Sequence, residues 1–145
     1  MLTEITTRIH HYFVDDANRK QGAYKEFYSN GMLYMHVFYL NGRREGLLEM
    51  FFSDGQLKFS VMCVDDNFEG LYTSYHDNGA LNHHFYYKKG LRHGEIKTFS
   101  STGDIVYSSF CYKNRDLHVD PDTLTEQDKV YIMMCGRLPP KEPSC

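Results

Sequence analysis

A period of 24 residues constrains this chain more than any other feature of its sequence. Five columns of residues hold that period over four consecutive units without a gap. The columns are Gly22, Gly46, Gly70 and Gly94; Gly31, Gly55, Gly79 and Gly103; Phe27, Phe51, Tyr75 and Phe99; Leu33, Leu57, Leu81 and Ile105; and Phe38, Met62, Tyr86 and Phe110. A repeat of this length is typical of an array of small supersecondary units.

The turn signals within each unit predict a β-hairpin. One set of turn dipeptides is Asn30-Gly31, Asp54-Gly55 and Asn78-Gly79, and a second set is Asn41-Gly42, Asp65-Asp66, Lys89-Gly90 and Lys113-Asn114. The first set favours two-residue type I′ turns, in which both central residues need a positive φ. The runs between the turns are rich in Tyr, Phe, Val and Leu, which is typical of strands. We therefore expect an antiparallel meander of about nine strands.

Pairing across the first turn assigns one face of this sheet to the core. The predicted register matches Tyr28 with Leu33 and Tyr24 with Val37. The face that carries Tyr24 and Leu33 is much richer in apolar residues than the opposite face. Because burying one apolar side chain fully is worth about 1.5–3 kcal/mol, this face must be covered or the sheet must curl on itself.

The pattern changes after His118 and predicts a C-terminal helix. Thr123 and Glu126 have the spacing of a capping box, and Gly136 lies where a C-cap is expected. We expect a helix from about residue 123 to residue 135 that caps the last hairpin or packs on the sheet. A helix that binds a partner is the alternative.

The predicted fold is therefore mainly all-β: an antiparallel meander of tandem hairpin repeats that forms a twisted, curled sheet with a C-terminal capping α-helix. The repeat array is expected over residues 1–118, with a partial unit over 1–21 and units near 22–45, 46–69, 70–93 and 94–117. The helix and a tail are expected over residues 119–145.

The repeated motif Gly-x-x-x-x-Phe/Tyr-x-x-Asn/Asp-Gly-x-Leu, followed by a strand and a second turn, resembles the MORN repeat (membrane occupation and recognition nexus). It looks most like the variant form found in bacterial antitoxin-like proteins. The segments 22–33 and 70–81 carry the closest matches, and the resemblance covers roughly residues 9–116. It implies a binding or assembly surface without shared catalytic residues. Family members are associated with scaffolding, self-association and lipid contact.

The charge and composition exclude several function classes. The 19 acidic and 16 basic residues give a formal charge of −3, which argues against a nucleic-acid binder. No stretch approaches the roughly 20 apolar residues of a membrane helix. The first residues lack the basic and apolar regions of a signal peptide, and the four cysteines form no close pairs. We expect a cytoplasmic protein.

Residue types that carry chemistry do not converge in the predicted sheet. His83 and His84 point to opposite faces, so they cannot share a metal ion. His76 and His83 share a face at roughly 7–8 Å, but no clear third ligand is near them. Cys63 and Cys111 lie two units apart, or about 19 Å, too far for a disulfide, and are expected to be small core fillers. We predict no metal site, no cofactor and no enzymatic activity.

Basic residues follow the edge of the sheet that carries the second turns. They are Arg19, Lys20, Arg43, Arg44, Lys88, Lys89, Arg92, Lys113 and Arg115. Acidic residues share this edge and dilute the charge: Asp15, Asp16, Glu45, Asp65, Asp66, Glu69 and Asp116. Solvated turns are the favoured interpretation. A surface for an acidic partner and a lipid surface are the alternatives.

Aromatic residues on the less apolar face are the candidate partner-binding site. One row is Phe27, Phe51, Tyr75 and Phe99, and another is Phe38, Met62, Tyr86 and Phe110. Such rows would line a groove for an extended peptide or a helix. The alternative is that twist and curling bury them as a second core layer.

We therefore expect an interaction or assembly module that binds another protein or a copy of itself. An antitoxin or immunity-type inhibitor of a partner toxin is one alternative. A peripheral membrane scaffold is a weaker one.

Overall fold

The computed structural model describes residues 1–140 and consists of one antiparallel sheet followed by a helical segment. The strands are β1 (Thr3–Thr6), β2 (His10–Val14), β3 (Lys20–Phe27), β4 (Leu33–Leu40), β5 (Arg43–Arg44), β6 (Gly46–Phe51), β7 (Leu57–Val64), β8 (Asn67–Tyr75), β9 (Leu81–Lys88), β10 (Leu91–Phe99), β11 (Ile105–Tyr112) and β12 (Arg115–Asp116). A 3₁₀ helix at Pro121–Thr123 and the α-helix α1 (Glu126–Cys135) follow.

The strands lie in the sheet in chain order, with the two-residue strand β5 beside β4. The predicted antiparallel meander with a C-terminal helix is confirmed, although it has twelve strands rather than nine. Within the described part of the chain, β1 does not pair with β12, so the sheet stays open. The end of the predicted tail, residues 141–145, lies outside the described residues.

The turns inside the units differ from the predicted two-residue type I′ turns. The Gly31 amide donates to the Tyr28 carbonyl at 2.9 Å, and the Tyr28 amide donates to the Met32 carbonyl at 2.8 Å, which closes a three-residue loop. Only Gly31 has a positive φ, of 86°. Asn30 does not have the positive φ of a type I′ turn; its side chain accepts a hydrogen bond from the Met32 amide. Asn-Gly is compatible with either loop, so the dipeptide alone did not decide between them.

The loop length shifts the register at the end of the hairpin. Phe27, not Tyr28, pairs with Leu33, and the register changes between Glu26 and Phe27. Farther from the turn, Tyr24 pairs with Val37 as predicted. The predicted faces are therefore correct along most of each strand, and the error is confined to the turn.

Two-residue turns with positive φ at both positions occur at the second set of dipeptides. Asn41 has a φ of 51° and Gly42 one of 82°, and the flanking Leu40 and Arg43 pair directly. The equivalent turns are Asp65-Asp66, Lys89-Gly90 and Lys113-Asn114. Non-glycine residues are strained in this conformation, so other contacts must hold these turns.

A repeated hydrogen bond from the preceding unit holds each second turn. The acceptor is the side chain of the last residue of one unit, directly before the repeat glycine. The donor is the backbone amide of the first residue of the second turn in the next unit, 20 residues later. The pairs are Gln21 with Asn41 (3.0 Å), Glu45 with Asp65 (2.8 Å), Glu69 with Lys89 (2.8 Å) and His93 with Lys113 (3.3 Å). The second turn residue also donates to a backbone carbonyl 22 residues earlier, for example Gly42 to Lys20 at 2.9 Å, which ties each turn to the unit before it.

The hydrophobic core lies on the predicted face of the sheet, which we call the core face. Its most buried members are Val37, Val61 and Cys63, with at most 1% of their surface exposed. The rings of partly buried Tyr39, Phe59, Tyr72 and others pack against them. Cys63 and Cys111 are free, buried thiols, which confirms them as small core residues.

The C-terminal helix starts later than predicted. The N-cap of α1 is Thr125, whose side chain forms a capping box with Asp128, and Gly136 is the C-cap with a φ of 69°. The predicted capping residue, Thr123, belongs to the 3₁₀ helix, and its hydroxyl donates to the Asp120 carbonyl at 2.7 Å. The predicted capping box of Thr123 and Glu126 is therefore wrong, while the predicted C-cap is correct.

Candidate functional site

Seven apolar side chains lie exposed on the face opposite the core, which we call the outer face. They are Phe38, Leu40, Leu47, Met62, Val64, Leu71 and Tyr86, and between 39% and 56% of each is exposed. Cross-strand pairs join Leu47 to Met62 and Leu71 to Tyr86, so the set extends from β4 to β9. We call this set the apolar surface. Large contiguous apolar patches on a folded protein mark interaction sites.

The helix α1 packs on the same face, at the C-terminal end of this row. Ile132 is fully buried, and the Lys129 ammonium donates to the Glu95 carboxylate at 2.9 Å. Phe110 retains only 3% exposure and is the cross-strand neighbour of Glu95. Of the predicted row, Phe38, Met62 and Tyr86 thus remain accessible, whereas Phe110 is buried while α1 is in place.

The other predicted row is only partly exposed and lies near the turns inside the units. It contains Phe27, Phe51, Tyr75 and Phe99. The Phe51 carbonyl accepts a hydrogen bond from the Tyr28 hydroxyl at 2.7 Å, and the Phe99 carbonyl is 2.8 Å from His76 Nε2. These contacts link the turns of consecutive units. Partner binding by this row remains a prediction.

The basic edge divides into a paired and an unpaired half. In the N-terminal half, arginines form ion pairs: Arg19 with Asp15 (2.8 Å), Arg43 with Asp65 (2.5 Å) and Arg44 with Asp66 (3.3 Å). The backbone amide of Arg44 lowers the pKa of Asp66, and the Arg44 side chain adds to the effect. Because each of these arginines is paired with a carboxylate, the N-terminal half of the edge carries little uncompensated positive charge from its arginines.

In the C-terminal half, three lysines surround a pocket of about 460 Å³. Lys88, Lys89 and Lys113 line it together with Leu91, His93, Tyr112 and Met133. Within residues 1–140, none of the three ammonium groups forms an ion pair. We call this feature the lysine pocket.

His93 lies at the junction between the lysine pocket and the sheet. Burial lowers its pKa, and the charges of Lys88 and Lys113 lower it further. Its Nδ1 accepts the Lys113 amide proton, which fits a neutral imidazole. The positive charge of the pocket therefore comes from the lysines.

A cleft of about 510 Å³ connects the lysine pocket to the apolar surface. Tyr86 and Phe110 line it from the sheet, and Lys129 and Met133 line it from α1. Lys88, His93 and Met133 border both cavities, so the two are adjacent.

The sequence analysis missed the lysine pocket and four members of the apolar surface. Leu40 and Val64 share a repeat column with Lys88, and Leu47 and Leu71 share another with Glu95. These columns mix apolar and charged residues and therefore do not stand out as apolar columns, although strand alternation places them on the outer face.

The two histidines considered for a metal each have another partner. His83 Nδ1 lies 2.9 Å from the Ser74 hydroxyl, and His76 Nε2 lies 2.8 Å from the Phe99 carbonyl. Burial lowers the pKa of His83, and the nearby His76 lowers it further. No cluster of three or more potential metal ligands occurs in the part of the chain that the structure covers.

Serine, aspartate and histidine side chains meet at the end of the core face. Ser109 is fully buried and donates to Asp116 at 2.5 Å, and His118 Nδ1 lies 3.6 Å from the same carboxylate. In a nucleophilic triad the imidazole lies between the serine and the carboxylate. Here the carboxylate lies between the other two groups, so the imidazole is not placed to activate the serine.

Stacked hairpins in an open sheet define a β-hairpin repeat protein. Two segments, residues 20–41 and 68–89, match the family model described as MORN repeat variant. Two units of the array therefore match the variant form of the MORN repeat. Such repeats are typically modules for interaction with proteins or membranes.

The solved structures that resemble this chain include two TarM crystal structures. One is a mutant of S. aureus TarM in complex with fondaparinux, alpha-GlcNAc-glycerol and UDP (9% identity, TM-score 0.42), and the other is TarM (9% identity, TM-score 0.39). Each match covers 81% of this chain but only 21% of the TarM chain. No curated protein matches the chain. Across residues 1–140, no helix has both the length and the apolar character needed to cross a membrane.

Proposed function

We propose that this protein is a non-enzymatic interaction module that binds a protein partner through the apolar surface. The observation that carries the proposal is the contrast along one repeat column: Phe110, which lines a cleft with residues of α1, is 3% exposed, whereas Phe38, Met62 and Tyr86 remain more than 40% exposed. A partner that covered these side chains would remove apolar area from water at roughly 25 cal/mol per Å². An inhibitor of a partner toxin is one form of such a module.

A lipid-binding scaffold is the second candidate, and the lysine pocket favours it. Polybasic lipid sites usually cluster four to eight basic residues. Three lysines line this pocket, and Arg19, Arg43 and Arg44 in the N-terminal half of the edge are paired with carboxylates. Protein binding is therefore the better-supported function.

The proposal is tested by changing the centre of the apolar surface. We expect Met62→Gln/Leu71→Gln to lose the proteins that the wild-type chain retains in a quantitative pull-down from its native cells, because polar side chains remove the apolar contact. The matched control is Ile105→Gln/Val106→Gln, at residues that are 53% and 61% exposed elsewhere on the sheet. Circular dichroism verifies that both variants fold.

An unchanged set of retained proteins in Met62→Gln/Leu71→Gln would contradict the proposal. Light scattering on the purified chain identifies self-association. A dimer that dissociates in the same variant, but not in the control, identifies the partner as a second copy.

A further inference from the structure

We infer, building on the proposed function, that the apolar surface, the cleft beside α1 and the lysine pocket form one groove for an amphipathic helix of a partner protein, with carboxylates of that helix at the lysine pocket. This inference rests on the proposed function for the location of the binding surface. The chemistry of the partner is inferred from the charge and the shape of the groove.

The chain itself shows that a helix fits this face of the repeat. Phe110 lines one cleft together with Lys129 and Met133 of α1, and the same column holds Tyr86 and Phe38 in earlier units. Glycines lie beside both rings, since a Cβ at Gly46 would be 3.8 Å from the Phe38 Cβ and one at Gly94 would be 3.7 Å from the Tyr86 Cβ. The missing side chains leave a shallow trough next to each ring. The rings of Phe38 and Tyr86 thus offer an apolar surface on the same face of the sheet as α1.

Residues of α1 also line one side of the groove in which such a helix would bind. Met133 lines the cleft next to Tyr86 and is 40% exposed. Lys129 lines the same cleft from the preceding turn of α1. Packed helices lie about 8–10 Å apart, so a helix beside α1 would rest on the neighbouring strands of the apolar surface.

The three lysines, which form no ion pair within residues 1–140, determine the charge of the partner. The last turn of α1 contains no basic residue, and a helix C-terminus has only about half a negative charge. That partial charge balances little of the positive charge of Lys88, Lys89 and Lys113. A basic segment would be repelled here, and an uncharged one would leave the ammonium groups unpaired. Carboxylates at the end of an apolar segment complement both parts of the groove.

The experiment uses a synthetic amphipathic helix with leucines along one face and glutamates in its last turn, together with the same peptide carrying glutamines instead. We expect the glutamate peptide to shift the amide resonances of Leu71, Tyr86 and Lys88 in NMR spectra. Fluorescence anisotropy should show it binding about fivefold more tightly than the glutamine peptide, because exposed ion pairs contribute modestly.

Charge variants test the contribution of the lysine pocket. Lys88→Gln/Lys89→Gln should abolish the difference between the two peptides. Lys25→Gln/Lys58→Gln removes the same charge elsewhere in the repeat array and should preserve it. The difference should also shrink as salt is added, because exposed charges are screened.

Three results would overturn the inference. If both peptides bind the apolar surface equally well, the lysines do not select the partner, although the proposed function stands. If neither peptide binds, the groove does not take a helix, and the pull-down with Met62→Gln/Leu71→Gln still decides the proposed function separately. If phosphatidylglycerol vesicles bind in place of the peptides and Lys88→Gln/Lys89→Gln abolishes that binding, the pocket serves a lipid headgroup.

Discussion

Gly136 and Gly22 have similar backbone conformations but very different surroundings. Their φ values are 69° and 75°, both in the left-handed region. A Cβ on Gly136 would lie 2.5 Å from Cε1 of Tyr112, whereas a Cβ on Gly22 would meet nothing within 4 Å. The two positions therefore separate the cost of backbone strain from the cost of a steric clash.

We predict that Gly22→Ala lowers the free energy of unfolding by about 1 kcal/mol, because only the backbone is strained. Gly136→Ala should cost about 1–3 kcal/mol more, because the Tyr112 ring or the end of α1 must also move. Urea unfolding of the two variants measures the difference. Equal losses would show that α1 does not pack tightly on Tyr112.

At the residue scale, the repeat columns predicted the core well. Tyr24 and Val37 are buried on the predicted face. Because side chains alternate between the two faces of a strand, only two assignments are possible, and the face with more apolar residues is the one that becomes buried. The turn type at Asn30-Gly31 was not predictable, because that dipeptide suits two loop lengths. The absence of an ion pair at Lys88 within residues 1–140 was not predictable either, since it depends on which carboxylates reach the ammonium group in three dimensions.

At the scale of elements, the sequence predicted the existence of α1 better than its start. Thr123 and Thr125 each precede an acidic residue by three positions, so two capping boxes overlap in the sequence. The structure uses Thr125 with Asp128. The side of the sheet on which α1 lies was not predictable, because an apolar stripe shows that a helix face is buried but not what buries it.

We predict that Ile132→Ala weakens the docking of α1 by about 2 kcal/mol, because Ile132 is fully buried and its truncation leaves a cavity. Hydrogen exchange of the amides in α1 should accelerate about thirtyfold. Val130→Ala is the matched control, because Val130 is 57% exposed. A similar acceleration in both variants would contradict the described packing.

At the scale of the whole molecule, the constant period of 24 residues means that one unit can be removed without changing the junction between its neighbours. Gly46 and Gly70 begin consecutive units, and each follows a glutamate that supports the second turn of its own unit. Joining Glu45 directly to Gly70 would therefore recreate a normal junction between units. A join that is one residue out of step would place core side chains on the outer face.

We predict that a chain lacking residues 46–69 folds cooperatively with a native-like circular dichroism spectrum, because stability in repeat proteins is largely a sum over neighbouring units. A chain lacking residues 46–68, which restores one residue, should lose cooperative folding. Thermal unfolding of both deletions provides the measurement. Comparable transitions would mean that the alternation of faces does not hold the array together.

The supports of the second turns all lie earlier in the chain than the turns themselves. Gln21 precedes Asn41, Glu45 precedes Asp65, and the remaining pairs follow the same direction. During synthesis, each hairpin can close against a neighbour that has already left the ribosome, without waiting for later segments. α1 emerges after the strands on which it packs, so each part is synthesised after the part that supports it.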